Sequence, residues 1–291
     1  MEFDIWLPAA NPFATPDMLA AVAREAEARA LHGIWVGEHV VTFEDYDSSY
    51  PYADDGQIPL PPGTGLLEPF TTLAFLAAVT STVRLGTAMC LLPQRNPVYS
   101  AKEVATVDWL SGGRVDLGVG VGWLREEFDA LGVPWPRRGA RTDEYLEVLR
   151  TLWCDDPSSF SGEFYELAPC NQHPKPVQTP HPPIHVGGES DAALRRVARR
   201  GQGWHTFNRA PGDLPDVLAR LGRFMEEEGR SLADVRVTVC PYFQPLDPDI
   251  TERYAEAGAD AVSAMLFAMS AEDVPAAFEA IDPCLERARA C

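Results

Sequence analysis

Few side chains in this sequence can do acid–base chemistry at neutral pH, and one of them stands out by its place. His39 ends the run WVGEH (35–39), directly after a short apolar stretch and beside Glu38. An imidazole there can hold or move a proton, or donate a hydrogen bond to a bound group. The rival reading is a histidine satisfied within the structure. Glu38 either orients His39 or is simply solvated. His205, near the end of the run RRGQGWHTF (199–207), is read as ending another strand and fits a site or a core equally. His185, inside PIHVGG (183–188), reads as core.

No metal site is expected. His181 and His185 are four apart, but Pro182 and Pro183 between them forbid a shared helical face. HExxH, the GxSxG nucleophile elbow and a Walker A loop are absent. GVGVGW (118–123) lacks the spacing of a dinucleotide fingerprint. Its small residues would let the backbone approach a flat ligand, with Trp123 as a wall, or would serve tight packing. Gly187-Gly188-Glu189-Ser190 leads into a helix whose N-terminus could hold an anion, provided the Glu189 side chain points away. Arg95 and Arg125, following strand ends, are expected to help meet that anion. The arginines at 195, 196, 199 and 200 fall late in the helix and read as dipole complements.

These residues need a frame, and short apolar runs supply one. Strands are expected to start near 3, 33, 84, 114, 184, 203, 235 and 260, with helices between them. Thr15-Pro16, Asn96-Pro97 and Asp247-Pro248 are helix starts. Gly33, Gly201 and Gly258 are read as left-handed stops before strands. Val274, Phe278, Ile281 and Leu285 form the stripe of a last helix, which Pro283 should kink or split. The alternation predicts an α/β fold, a (β/α)8 (TIM) barrel, with a doubly wound sheet as runner-up. Two intervals exceed one helix, so insertions follow strands 2 and 4, at about 40–66 and 123–183. The first is read as a lid over the catalytic face. The second holds a helix (143–153), a hairpin (160–167) and a proline-rich run. One barrel domain over 1–291 is expected.

Composition agrees. The 291 residues suit a barrel of about 250 residues plus insertions. With 43 acids against 24 bases the net charge is −19, which disfavours phosphate backbones and anionic membrane surfaces. No apolar run reaches a membrane span, and Leu73–Val79 reads as a buried helix. The start MEFDIWLP lacks a basic n-region. Six scattered cysteines suggest neither disulfides nor zinc, and hence a cytoplasmic protein.

The segment RLGTAMCLLPQRNPVYSAKEVATVDWLSGGRVDLGVGVGWLREEFDALG (84–132) closely resembles the luciferase-like monooxygenase superfamily, in particular its actinobacterial branch of coenzyme F420-dependent oxidoreductases. WVGEH (35–39), YPYADDGQIPLPPG (50–63), RTDEYLEVLRTLW (141–153) and residues 176–205 extend the likeness over nearly the whole chain. The resemblance implies a barrel that binds F420 or a flavin at its C-terminal face. It implies a non-proline cis peptide at Ala88-Met89 behind the ring, with Trp6 and Leu91 nearby. It implies Gly120, Val121, Gly122 and Trp123 along the ring or its linker, and Gly187, Gly188, Glu189 and Ser190 at the phosphate. His39, with Glu38, would face the reactive side. Relatives acting on sugar phosphates carry a glutamate where this chain has Trp123, which leaves His39 as the proton carrier for a less polar small molecule. The implied activity is hydride transfer between deazaflavin C5 and a small organic substrate. The alternatives are an FMN-dependent monooxygenase fed by a separate flavin reductase, and a barrel that binds cofactor without catalysis. A homodimer is the expected assembly.

Overall fold

The computed structural model describes residues 1–291, and most of its strands, the parallel ones, are short and almost wholly buried, as parallel strands covered on both faces must be. In chain order they are β1 (Glu2–Leu7), β2 (Gly33–Val36), β3 (Arg84–Thr87), β4 (Cys90–Leu91), β5 (Val115–Gly120), β6 (Ser158–Ser161), β7 (Glu166–Cys170), β8 (Ile184–Gly187), β9 (Gly203–Phe207), β10 (Arg236–Cys240) and β11 (Ala261–Met265). Parallel pairing runs β1–β2–β3–β5–β8–β9–β10–β11 and returns to β1. The sheet is therefore a closed eight-stranded barrel, as expected. β4 resumes the third strand after an interruption at 88–89 and pairs Cys90 with Val119. β6 and β7 are the expected hairpin, outside the barrel.

The helices are α1 (Pro16–Ala28), α2 (Pro69–Val79), α3 (Pro97–Ser111), α4 (Arg125–Ala130), α5 (Arg138–Cys154), α6 (Asp191–Arg200), α7 (Leu214–Glu227), α8 (Pro248–Glu256) and α9 (Val274–Ala290). Thr15, Asn96 and Asp247 cap α1, α3 and α8 through their side-chain oxygens. Two local expectations fail. Of the three proposed stop glycines only Gly258 is left-handed, at φ 97°. Ala30 makes the turn after α1, and Gly201 is extended. α9 also runs unbroken through Pro283. Pro283 and Glu279, whose carbonyl loses its partner, are both exposed, so water can satisfy that carbonyl.

Alternation along β1 separates two interiors. Phe3, Ile5 and Leu7 face the helices and join a core of 57 buried residues. Asp4 and Trp6 point into the barrel. At its N-terminal end that interior is ionic. Asp4 accepts from Trp35 Nε1 at 2.9 Å and Arg236 Nη2 at 2.8 Å, and Asp116 accepts from Arg84 Nε at 2.6 Å. At the C-terminal end it turns apolar, with Trp6, Trp35, Ala88, Phe207 and Cys240 in contact. A barrel closed below by ion pairs and apolar above leaves its concave opening at the C-terminal face. No helix is long and apolar enough to cross a membrane.

Candidate active site

A cavity of about 520 Å³ opens at the C-terminal ends of the strands. Its back wall is the interruption between β3 and β4. Trp6 Nε1 donates to the Ala88 carbonyl at 3.0 Å, and the Leu91 N–H donates to Glu38 Oε2 at 2.6 Å. Between these anchors the Ala88–Met89 peptide is cis, at the position the resemblance implied. Met89 then runs across three glycines. A Cβ added at Gly118, Gly120 or Gly187 would approach the Met89 side chain to 3.0, 3.0 and 2.8 Å. Part of the glycine pattern read as room for a ligand is thus room for Met89. Gly120, Val121, Gly122, Gly187 and Gly188 still line the cavity, as do Trp6, Ala88, Met89, Leu91 and Trp123.

Glu38 does not orient His39. Its buried carboxylate accepts from Arg95 Nε at 2.7 Å as well as from Leu91. A carboxylate fixed directly after β2 and shut off from water needs a cation, and Arg95 is the one in reach. Arg95 also meets Glu68 at 2.6 Å and Glu103 at 2.9 Å. It is therefore unable to serve the anion site expected of it. Arg125 is exposed and lies 3.6 Å from Asp129.

The partner of His39 is Glu127, which the sequence reading did not single out. Glu127 lies in the first turn of α4, wholly buried. Its Oε2 faces His39 Nδ1 at 3.2 Å and accepts from Gln94 Nε2 at 3.0 Å. Its Oε1 accepts from the Val40 N–H at 2.6 Å. Burial alone would raise the Glu127 pKa, but the hydrogen bonds from His39, Gln94 and Val40 hold it below the ordinary carboxylate value. On the far side of the ring, Trp123 Nε1 lies 3.3 Å from His39 Nε2. An ionised carboxylate only accepts and an indole N–H only donates. The proton of the neutral imidazole therefore sits on Nδ1, and Nε2 presents its lone pair.

The segment 40–66 covers the mouth. Tyr50 Oη donates to Tyr242 Oη at 2.7 Å, and the Tyr50 ring packs edge-on against Trp123 with centroids 5.1 Å apart. Asp47 N and Ser48 Oγ both donate to Glu126 at 2.7 Å. Ile58, Pro59, Leu60 and Pro61 line the cavity from this segment. Phe243, Phe267 and Met269 do so from the loops after β10 and β11.

Gly188 leads into α6, which Ser190 caps by accepting from the Ala193 N–H at 3.2 Å. The Glu189 carboxylate turns aside to the Thr206 hydroxyl. The N–H groups of Gly188, Glu189 and Ser190 donate to no backbone or side-chain acceptor. Glu189 and Ser190 do not line the cavity itself. The four arginines of α6 face away and pair with acids, Arg195 with Glu227 at 2.5 Å and Arg196 with Asp143 at 2.5 Å.

Two other histidines are structural. His185 Nε2 lies 3.4 Å from Asp116. His205 is fully buried, stacked on Phe207 at 5.0 Å, and outside the cavity wall. Its pKa is depressed to about 3, chiefly by burial and then by His185. No group of three or more His, Cys, Asp or Glu side chains could hold a metal.

A barrel open at this face, with a cis peptide behind an apolar cavity, invites comparison with known proteins. The family model described as luciferase-like monooxygenase matches residues 1–281. The chain belongs to that family. The uncharacterized protein Rv0953c of Mycobacterium tuberculosis is 36% identical over 264 residues, covering 89% of this chain and 91% of that one. An FMNH(2)-dependent dimethylsulfone monooxygenase of Pseudomonas putida is 38% identical over 136 residues, 45% of this chain and 37% of that one. Among solved structures, an F420-dependent secondary alcohol dehydrogenase in complex with an F420–acetone adduct superposes with a TM-score of 0.76. It covers 98% of each chain at 17% identity, a likeness of fold. Members of this family are oxidoreductases and monooxygenases that use F420 or a reduced flavin.

Proposed function

We propose that this protein is a coenzyme F420-dependent oxidoreductase acting on a small organic substrate, with His39 as its proton carrier. The observation that carries the reading is the buried Glu127–His39 pair, set against an apolar covered cavity at the catalytic face of the barrel. The cavity fits a flat heteroaromatic ring. Its walls are apolar, it contains no Lys or Arg, and Ala88–Met89 closes it from behind. Trp6, Ala88, Met89 and Leu91 would back the ring, and Gly120, Val121, Gly122 and Trp123 would line its edge. Gly187, Gly188, Glu189 and Ser190 would meet a phosphate with free N–H groups at the start of α6.

When bound, a deazaflavin supplies a carbon that gives or takes a hydride. The protein's share is to place the substrate and manage its proton. Once a substrate hydroxyl displaces the Trp123 N–H from it, His39 Nε2 can accept the proton of that hydroxyl, while Glu127 stabilises the imidazolium that results. The lid excludes water from this exchange. Glu38 acts at one remove, by holding Leu91 and pairing with Arg95.

A second reading, an FMN-dependent monooxygenase served by a separate reductase, is favoured by the identity with the Pseudomonas putida enzyme. The deciding experiment titrates purified protein with F420 and with FMN, followed by fluorescence, and then measures turnover and oxygen uptake. Micromolar F420 binding with oxygen-independent turnover supports the first reading. Micromolar binding of FMN alone overturns it. Binding with no turnover on any substrate indicates a barrel that holds cofactor without catalysis. His39→Ala should lower turnover at least about a hundredfold.

A further inference from the structure

The walls of the cavity carry a statement about what enters it. The charged groups nearby are held by the protein and none is a free cation. Glu38 is paired with Arg95, and Glu127 is held by hydrogen bonds from His39, Gln94 and Val40. No lysine or arginine lines the space, and the chain as a whole carries −19. An anionic substrate would therefore find no counter-ion and an opposing field. The hydroxyls of Tyr50 and Tyr242 bond each other, so the polar groups left to a ligand are few, His39 and the Tyr52 hydroxyl among them.

The mouth differs from ordinary protein surface. Phe267 is 66% exposed, Met269 62% and Phe243 46%, yet all three line the same cavity. The apolar run Ile58–Pro61 lines the cavity as well. Large exposed apolar side chains continuous with a site mark a surface that a ligand covers.

We propose that the substrate is an uncharged molecule with one oxygen function, placed at His39, and an apolar body long enough to leave the cavity past Ile58–Pro61 and Phe267–Met269. The inference rests on the proposed function for the role of His39, but the selectivity it asserts belongs to the walls. Phe243, Phe267 and Met269 are then specificity-determining residues. Each methylene added to the substrate is buried against them and should tighten binding by up to about fourfold.

The test measures binding by calorimetry to protein saturated with whichever cofactor it takes up, and to protein without cofactor. The probes are 2-alkanols of three to ten carbons, whose hydroxyl can donate to His39, their terminal carboxylates and a terminal trimethylammonium analogue. The expected result is affinity that climbs with chain length and is lost on adding the carboxylate. In the double variant Phe267→Ser/Met269→Ser, whose side chains are exposed and so spare the core, the ratio of long-chain to short-chain affinity should fall at least about tenfold. A flat length series overturns the proposal, as does a carboxylate that binds equally well. A trimethylammonium analogue that binds more tightly than the alcohol also overturns it and marks the aromatic rings as a cation cage. If neither F420 nor FMN binds while the length series persists, the proposed function fails and the substrate class stands.

Discussion

The carboxylate of Glu127 and the imidazole of His39 lie 88 residues apart in the chain and 3.2 Å apart in the fold. The contact fixes both the direction of the ring and the nitrogen that carries the proton. Replacing Glu127 by Gln keeps an acceptor facing Nδ1 but removes the charge. Nitrogen NMR of His39 should show the Nδ1–H tautomer retained in that variant and lost in Glu127→Ala. Turnover should drop about 10²-fold or more in Glu127→Gln, because a developing imidazolium loses its counter-charge. An unchanged rate with an unchanged tautomer would remove Glu127 from the mechanism.

Arg95 bears on stability as well as on the site. Its guanidinium neutralises Glu38, whose side chain is 1% exposed. Arg95→Ala strands that carboxylate and should cost about 3–5 kcal/mol in urea unfolding. Adding Glu38→Gln to the same chain should recover a large part of the loss.

His205 should make the fold sensitive to mild acid. Its pKa is about 3 in the folded chain against an ordinary 6.5. Between those values the unfolded chain binds the extra proton, so stability is full above pH 6.5 and falls as pH drops toward 3. From pH 7 to pH 5 the loss from this group is about 2 kcal/mol. His205→Leu should lose about that much less over the interval, which paired unfolding curves at the two pH values will measure.

Tyr242 ties the lid to the loop after β10. Tyr242→Phe leaves the Tyr50 hydroxyl without its partner in a largely buried place and should loosen the lid by about 1–3 kcal/mol. Hydrogen exchange is the measurement. Faster exchange around residues 46–52, with the strands unaffected, is the expected pattern, and equal exchange rates would show that the ring contacts with Trp123 suffice.

The barrel was legible because parallel strands buried on both faces read as continuous apolar runs. Expected starts at 3, 33, 84, 114, 184, 203, 235 and 260 compare with observed starts at Glu2, Gly33, Arg84, Val115, Ile184, Gly203, Arg236 and Ala261. The capping residues Thr15, Asn96 and Asp247 were legible too, since a cap acts within three residues of itself. Glu127 was not. Glu126 and Glu127 are neighbours of like chemistry, and only the rotation of a six-residue helix turns one outward to the lid and the other inward to His39. The available hint was position: two acids in a short helix just beyond a strand's C-terminal end. Gly120 and Gly187 line the cavity and also make room for Met89, and Gly118 makes room for the Thr87 carbonyl; those neighbours reach them only through closure of the barrel, which no local pattern announces.

That neighbouring pair has a mechanical meaning. Glu126 grips Asp47 and Ser48 of the lid, while Glu127 grips His39, and both hang from one turn of α4. One turn of a six-residue helix thus holds both the covering segment and the histidine, a single anchor for two parts of the site.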